Sequence, residues 1–187
     1  MKIALCGPPR SGKSVLRERL KRAIRALAPD VYPYVLTTNP DGEGSWFQET
    51  YRRDPELANQ LKAAAKQKWT PARAELYASW VRNTTVPLTF LDLGGIPDDY
   101  NRQICCAATH AILLAPTEAQ WVPWREFCAG CGLEILAELI SGYGEVEDSI
   151  LCSGGPFRAT IHRLERGDLE TERPAVEALA THILEKV

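Results

Sequence analysis

Gly7-Pro8-Pro9-Arg10-Ser11-Gly12-Lys13-Ser14 matches the pattern G-x-x-x-x-G-K-[ST], and the residues on either side of it decide how the chain folds. Before it, Lys2-Ile3-Ala4-Leu5-Cys6 reads as a short buried strand. After it, Val15, Leu16, Leu20, Ile24 and Leu27 recur at helical spacing until Pro29 stops the helix. Strand, glycine-containing loop and helix, in that order, make a cradle for phosphate. Successive backbone N–H groups turn inward, and the helix presents the positive end of its dipole to the same charge. In such a loop Gly7, Arg10, Ser11, Gly12, Lys13 and Ser14 line the phosphates, Lys13 adds a full charge at the β- and γ-phosphates, and the Ser14 hydroxyl ligates Mg²⁺. Pro8 and Pro9 have no N–H to give, but the donors that matter most come from Ser11 to Ser14, so the prolines stiffen the loop without disarming it.

Working outward, Val31 to Thr38 reads as a second strand whose Pro33 suits an edge position, and it ends in a polar loop, Asn39-Pro40-Asp41-Gly42-Glu43-Gly44-Ser45-Trp46. Asp54 to Lys66 and Pro71 to Val81 carry helix-forming residues with cap and Pro signals, and Val86 to Asp92 is a third strand. A short helix from Asp98 to Ala107, a strand from Ala108 to Pro116 and a helix from Trp121 to Cys128 follow. Gly132 to Ile140 fits strand or helix by pattern, and the flanking Gly132 and Gly142 favour a strand. Ser149 to Ser153 and Phe157 to Leu164 look like a terminal strand pair, with a last helix from Pro174 to Glu185. Strands alternating with helices predict an α/β fold: a doubly wound, mostly parallel sheet flanked by helices, as in P-loop NTPases, with ligands at the carboxyl ends of the strands.

That topology brings three polar loops to one edge. Asp92 ends an apolar run as a Walker B acid does, and Asp92-Leu93-Gly94-Gly95 fits D-x-x-G. Paired with Ser14, its carboxylate would hold Mg²⁺ through a water, and the Gly95 amide would reach the γ-phosphate. Asp41 and Glu43 stand where small-molecule kinases of this architecture place a carboxylate that orients or deprotonates an acceptor hydroxyl, although Pro40-Asp41-Gly42 also reads as a plain tight turn. Lys13, Asp41, Glu43 and Asp92 are thus the catalytic candidates. Arg10, Arg102 and Arg125 are candidates for stabilising transferring phosphate charge, Arg10 first because it lies inside the loop. Trp46 is placed to stack on a base or ring, or to fill core. The guanine-reading N-K-x-D pattern is missing, which favours ATP over GTP by default.

The 187 residues suit one nucleotide-binding domain, 1–187, rather than two. Charge is balanced, with 22 basic against 24 acidic residues, so no global field advertises nucleic acid or an anionic membrane. No apolar run approaches the 18 or so residues of a membrane span, and the chain enters its first strand at once, so the expectation is a cytoplasmic protein without signal peptide or membrane contact. Six cysteines without an export signal read as reduced thiols, with Cys105 and Cys106 packed in the core. Cys128-Ala129-Gly130-Cys131 has ligand spacing but no second pair or suitable His. Five tryptophans leave room for an aromatic interface between copies of the chain.

The loop Gly7 to Ser14, Asn39 to Trp46, Asp92-Leu93-Gly94-Gly95 and Leu164-Glu165-Arg166-Gly167 together resemble the P-loop ATPase-like domain found fused to a CRISPR-associated ring nuclease, an enzyme that degrades cyclic oligoadenylates. The likeness runs from about Lys2 to Gly167, and its specific part is the P-D-G-E-G-S-W loop. It implies a kinase-like P-loop fold, Mg²⁺-dependent ATP binding at Lys13, Ser14 and Asp92, and a substrate role for Asp41 and Glu43. No length is left here for a ring-nuclease domain, so nuclease activity is not implied; a separate ring nuclease is the implied partner protein. The expectation is an NTPase or kinase-like phosphotransferase acting on a small-molecule or oligonucleotide acceptor. The alternative is a regulatory module that responds to a nucleotide or cyclic oligoadenylate.

Overall fold

The computed structural model describes residues 1–38, 50, 53–67, 69–142, 147–164 and 173–187. The strands are β1 (Lys2–Cys6), β2 (Tyr34–Thr37), β3 (Thr89–Asp92), β4 (His110–Ala115), β5 (Glu134–Gly142), β6 (Ser149–Cys152) and β7 (Phe157–His162). The helices are α1 (Lys13–Leu27), α2 (Pro55–Gln67), α3 (Pro71–Asn83), α4 (Asp99–Ile104), α5 (Val122–Cys131) and α6 (Pro174–Leu184). The strands form one seven-stranded sheet in the order β2-β3-β1-β4-β5-β7-β6. Every neighbouring pair is parallel except β6 and β7, which run antiparallel at the edge.

Alternation along each strand splits the core between two faces. Ile3, Leu5, Phe90, Ile112, Leu114, Phe157 and Ile161 face one way, against Leu16, Leu20 and Ile24 of α1 and Val176, Leu179 and Ile183 of α6. Ala4, Cys6, Leu91, Ala111, Leu113 and Ala115 face the other way, against Tyr77 and Val81 of α3 and Trp121, Trp124, Phe127 and Cys128 at α5. Small side chains on β1 and β4 leave room there for two tryptophans, and Trp124 meets Phe127 edge-on at 5.4 Å and 70°. The chain moves from β1 out to β2 through α1 on the first face. It returns through α3, α4 and α5 on the second, as one handedness of crossover requires. The direction of travel therefore reverses beside β1, which puts the loop after β1 at the switch point of the sheet.

The expected elements are present with shifted ends: the helices expected to stop at Val81 and Cys128 run on to Asn83 and Cys131, and the strand expected to stop at Ile140 runs on to Gly142. The second and third strands begin at Tyr34 and Thr89 instead of Val31 and Val86, because Pro33 and Pro87 lack the N–H a ladder needs and because Val31 donates to Ala28 O in a turn. The helix expected over Asp98 to Ala107 stops at Ile104 and tightens into a 3₁₀ turn over Cys105–Ala107. That turn separates the paired cysteines: Cys105 is buried as expected, whereas Cys106 is exposed and takes a hydrogen bond from Arg82 Nη1 at 3.5 Å. The ambiguous Gly132 to Ile140 run is strand β5, and the terminal pair is β6 and β7. Among the described residues no helix is long and apolar enough to cross a membrane.

Candidate phosphate-binding site

The loop between β1 and α1 is held from three sides. Gly7 has φ 150°, and a Cβ on it would lie 1.9 Å from Leu114 O, so only glycine lets the loop pass this close over the end of β4. From β5, the buried Ser141 Oγ donates to Ser11 O at 2.8 Å. Leu164, after β7, packs its side chain against Gly12. Within the loop Arg10 adopts φ 65° and is exposed, and Ser11 N donates to Pro8 O at 3.3 Å. α1 starts at Lys13 and has no acidic residue in its first turn, so its N-terminal N–H groups and dipole face the loop uncompensated.

Lys13 lies across this loop. Its Nζ donates to Gly7 O at 2.6 Å and Pro8 O at 3.0 Å. Burial lowers its pKa to about 8, partly opposed by the negative charge of Asp92 and by Cys6. The ammonium is thus held by neutral carbonyls, weaker partners than the oxygens of a phosphate.

Asp92 reaches the base of the loop through strand register, because it pairs with Leu5, two residues before Gly7. It is 1% exposed. Its Oδ2 accepts from Ser14 Oγ at 3.3 Å and from Arg17 Nη1 at 2.8 Å. Its backbone oxygen accepts from Thr38 N and Oγ1 at 3.1 and 3.2 Å, which fastens the end of β2 to the end of β3. Beyond it the chain folds back onto the phosphate loop: a Cβ on Gly95 would lie 2.6 Å from Pro9 N. Asp98 caps α4 through Asn101 N at 2.8 Å, and Asn101 Nδ2 donates to Ile96 O at 2.7 Å, so the returning segment is pinned at its far end. A hydroxyl and a carboxylate oxygen side by side at a helix N-terminus are hard donors of the kind Mg²⁺ takes, and Ser14 and Asp92 fit that ion.

Gly7, Arg10, Ser11, Gly12, Lys13, Ser14, Asp92 and Gly95 are therefore in one place. Asp41, Glu43 and Trp46 lie outside the described residues, as do residues 165–167. Two of the three candidate arginines are engaged elsewhere: Arg125 pairs with the buried Glu138 at 2.6 Å and lies over Trp121, while Arg102 lies over Phe127. Arg17 and Ser141 are the site residues the motif did not single out. Spacing puts Arg17 on the side of α1 that carries Lys13 and Ser14, four residues after the one and three after the other, but carries no sign that it reaches Asp92.

Sheet order, switch point and loop geometry define a P-loop type α/β fold. No family model matches the sequence, and no curated protein is similar to it. Among solved structures, the chain resembles a protein from Borrelia burgdorferi B31 described as a plasmid partition protein and crystallised with AMPPNP. The TM-score is 0.62 at 10% identity, over 100% of this chain and 98% of that one, so the whole fold is shared.

Proposed function

We propose that this protein is an ATP-binding P-loop NTPase that takes its nucleotide at the Gly7–Ser14 loop with Mg²⁺. The observation that carries the reading is the convergence of Lys13, Ser14 and Asp92, with Lys13 Nζ on the loop's own carbonyls and Ser14 and Asp92 3.3 Å apart. The similar fold crystallised with AMPPNP supports an adenine nucleotide. On binding, Lys13 exchanges the Gly7 and Pro8 carbonyls for phosphate oxygens, and the N–H groups of Ser11 to Ser14 take the remaining charge. Ser14 and Asp92 would hold Mg²⁺, which when bound supplies charge neutralisation at the β- and γ-phosphates. Gly95, packed on Pro9, stands where its amide can report the presence of a γ-phosphate to the segment leading into α4. Catalysis would rest on positioning and electrostatic stabilisation, with Asp41 and Glu43 as the proposed acceptor-side carboxylates of a kinase-like variant.

The regulatory reading, with a ring nuclease as partner, rests on the motif resemblance, and one assay separates the two. Phosphate release is measured under Mg²⁺ and ATP, alone and with cyclic oligoadenylate. Steady multiple turnover that Lys13→Ala removes supports the NTPase. Tight ATP binding without turnover above background supports the switch.

A further inference from the structure

Arg17 is a charged side chain buried on α1 beside Leu16, Leu20 and Ile24, and its surroundings show what it holds. It is 3% exposed. One arm, Nη1, donates to Asp92 Oδ2 at 2.8 Å; the other edge of the same guanidinium grips Glu18 Oε1 through Nε at 2.9 Å and Nη2 at 2.8 Å. Glu18 is in turn paired with Lys21 Nζ at 3.2 Å. The planar fork therefore spans two carboxylates, one buried and one half-exposed, in a fixed geometry that a lysine ammonium does not offer. The Asp92 oxygen that Arg17 grips is also the one that accepts from Ser14.

From this geometry we infer that Arg17 is a positioning residue of the metal site: it fixes the Asp92 carboxylate against Ser14, and its charge raises the Mg²⁺ concentration at which nucleotide is held tightly. The inference rests on the proposed nucleotide function. A unit positive charge on the ligand oxygen repels a divalent ion bound beside it, and at such short range that repulsion is worth about fivefold or more in affinity even when strongly screened. Mg²⁺ is then retained only when the phosphates are present to offset Arg17, which couples metal binding to nucleotide binding.

The test is the Mg²⁺ concentration at half-maximal tight binding of a fluorescent ATP analogue at pH 7.5, for wild type, Arg17→Gln and Arg17→Lys. Glutamine keeps a donor for Asp92 without the charge, and the Mg²⁺ requirement falls about fivefold or more. Lysine keeps the charge beside Asp92, so the requirement stays within about twofold of wild type and the protein keeps a buried ion pair for folding. Affinity in EDTA stays within about threefold in both, because Lys13 and the loop amides are untouched. An unmoved or raised Mg²⁺ requirement in folded Arg17→Gln, or a fall of about fivefold in Arg17→Lys, overturns the role of Arg17 and leaves the nucleotide function standing. If wild type binds no analogue at saturating Mg²⁺, the nucleotide function fails and this inference falls with it.

Discussion

At the scale of single residues the site turns on Lys13. With its pKa drawn down to about 8 by burial, the free protein begins to lose this charge just above neutrality. Bound phosphate favours the protonated form, so binding raises that pKa and takes up a proton. Nucleotide affinity is accordingly flat below pH 8 as far as Lys13 is concerned, and falls above it by up to about tenfold per pH unit. Titrations of ATP analogue from pH 6.5 to 9.5 check the sign, and Lys13→Arg, which stays charged, removes the decline. Affinity that rises with pH would show that Lys13 does not meet the phosphates. The buried thiols play a different part: burial pushes Cys6 and Cys105 well up, so they remain neutral and pack as small apolar groups.

At the scale of elements, the loop is only as well placed as the strand ends beneath it. Ser141→Ala removes the bond from β5 to Ser11 O and leaves a buried carbonyl without that donor, a cost of about 1–3 kcal/mol. Urea denaturation reads the loss of stability, and nucleotide affinity should fall at the same time. An unchanged midpoint with unchanged affinity would show that β5 does not brace the loop. Gly7→Ala is harsher, since its Cβ overlaps Leu114 O, and it should abolish binding even where the domain still folds. The strand, loop and helix around Lys13 were legible in the sequence because each element announces itself locally, by apolar run, glycine spacing and helical period. Asp92 was legible as the acid ending β3. The Arg17 link was not, because it depends on β3 lying directly beside β1 with Leu5 opposite Asp92, a non-local fact that no spacing within one segment encodes. The apolar runs of β2 and β3 begin ahead of Pro33 and Pro87, where the ladder cannot, so sequence pattern alone starts both strands too early.

At the scale of the whole molecule, two apolar layers clamp the sheet whose upper edge carries the site. Trp124, 2% exposed between β4 and α5, fills the space left by small strand residues, so Trp124→Ala should cost about 3–5 kcal/mol. Calorimetric melting measures this, and a loss below about 1 kcal/mol would mean that the second layer is not close-packed. Among the described residues, seven strands in this order put the β1 loop at the switch point where α/β sheets take their ligands. The most direct test of that assignment is isothermal titration of wild type and Lys13→Ala with Mg²⁺ and AMPPNP. Under that assignment wild type shows one site per chain and the variant binds at least tenfold more weakly. Equal affinity in the two, in a variant that melts like wild type, would contradict it.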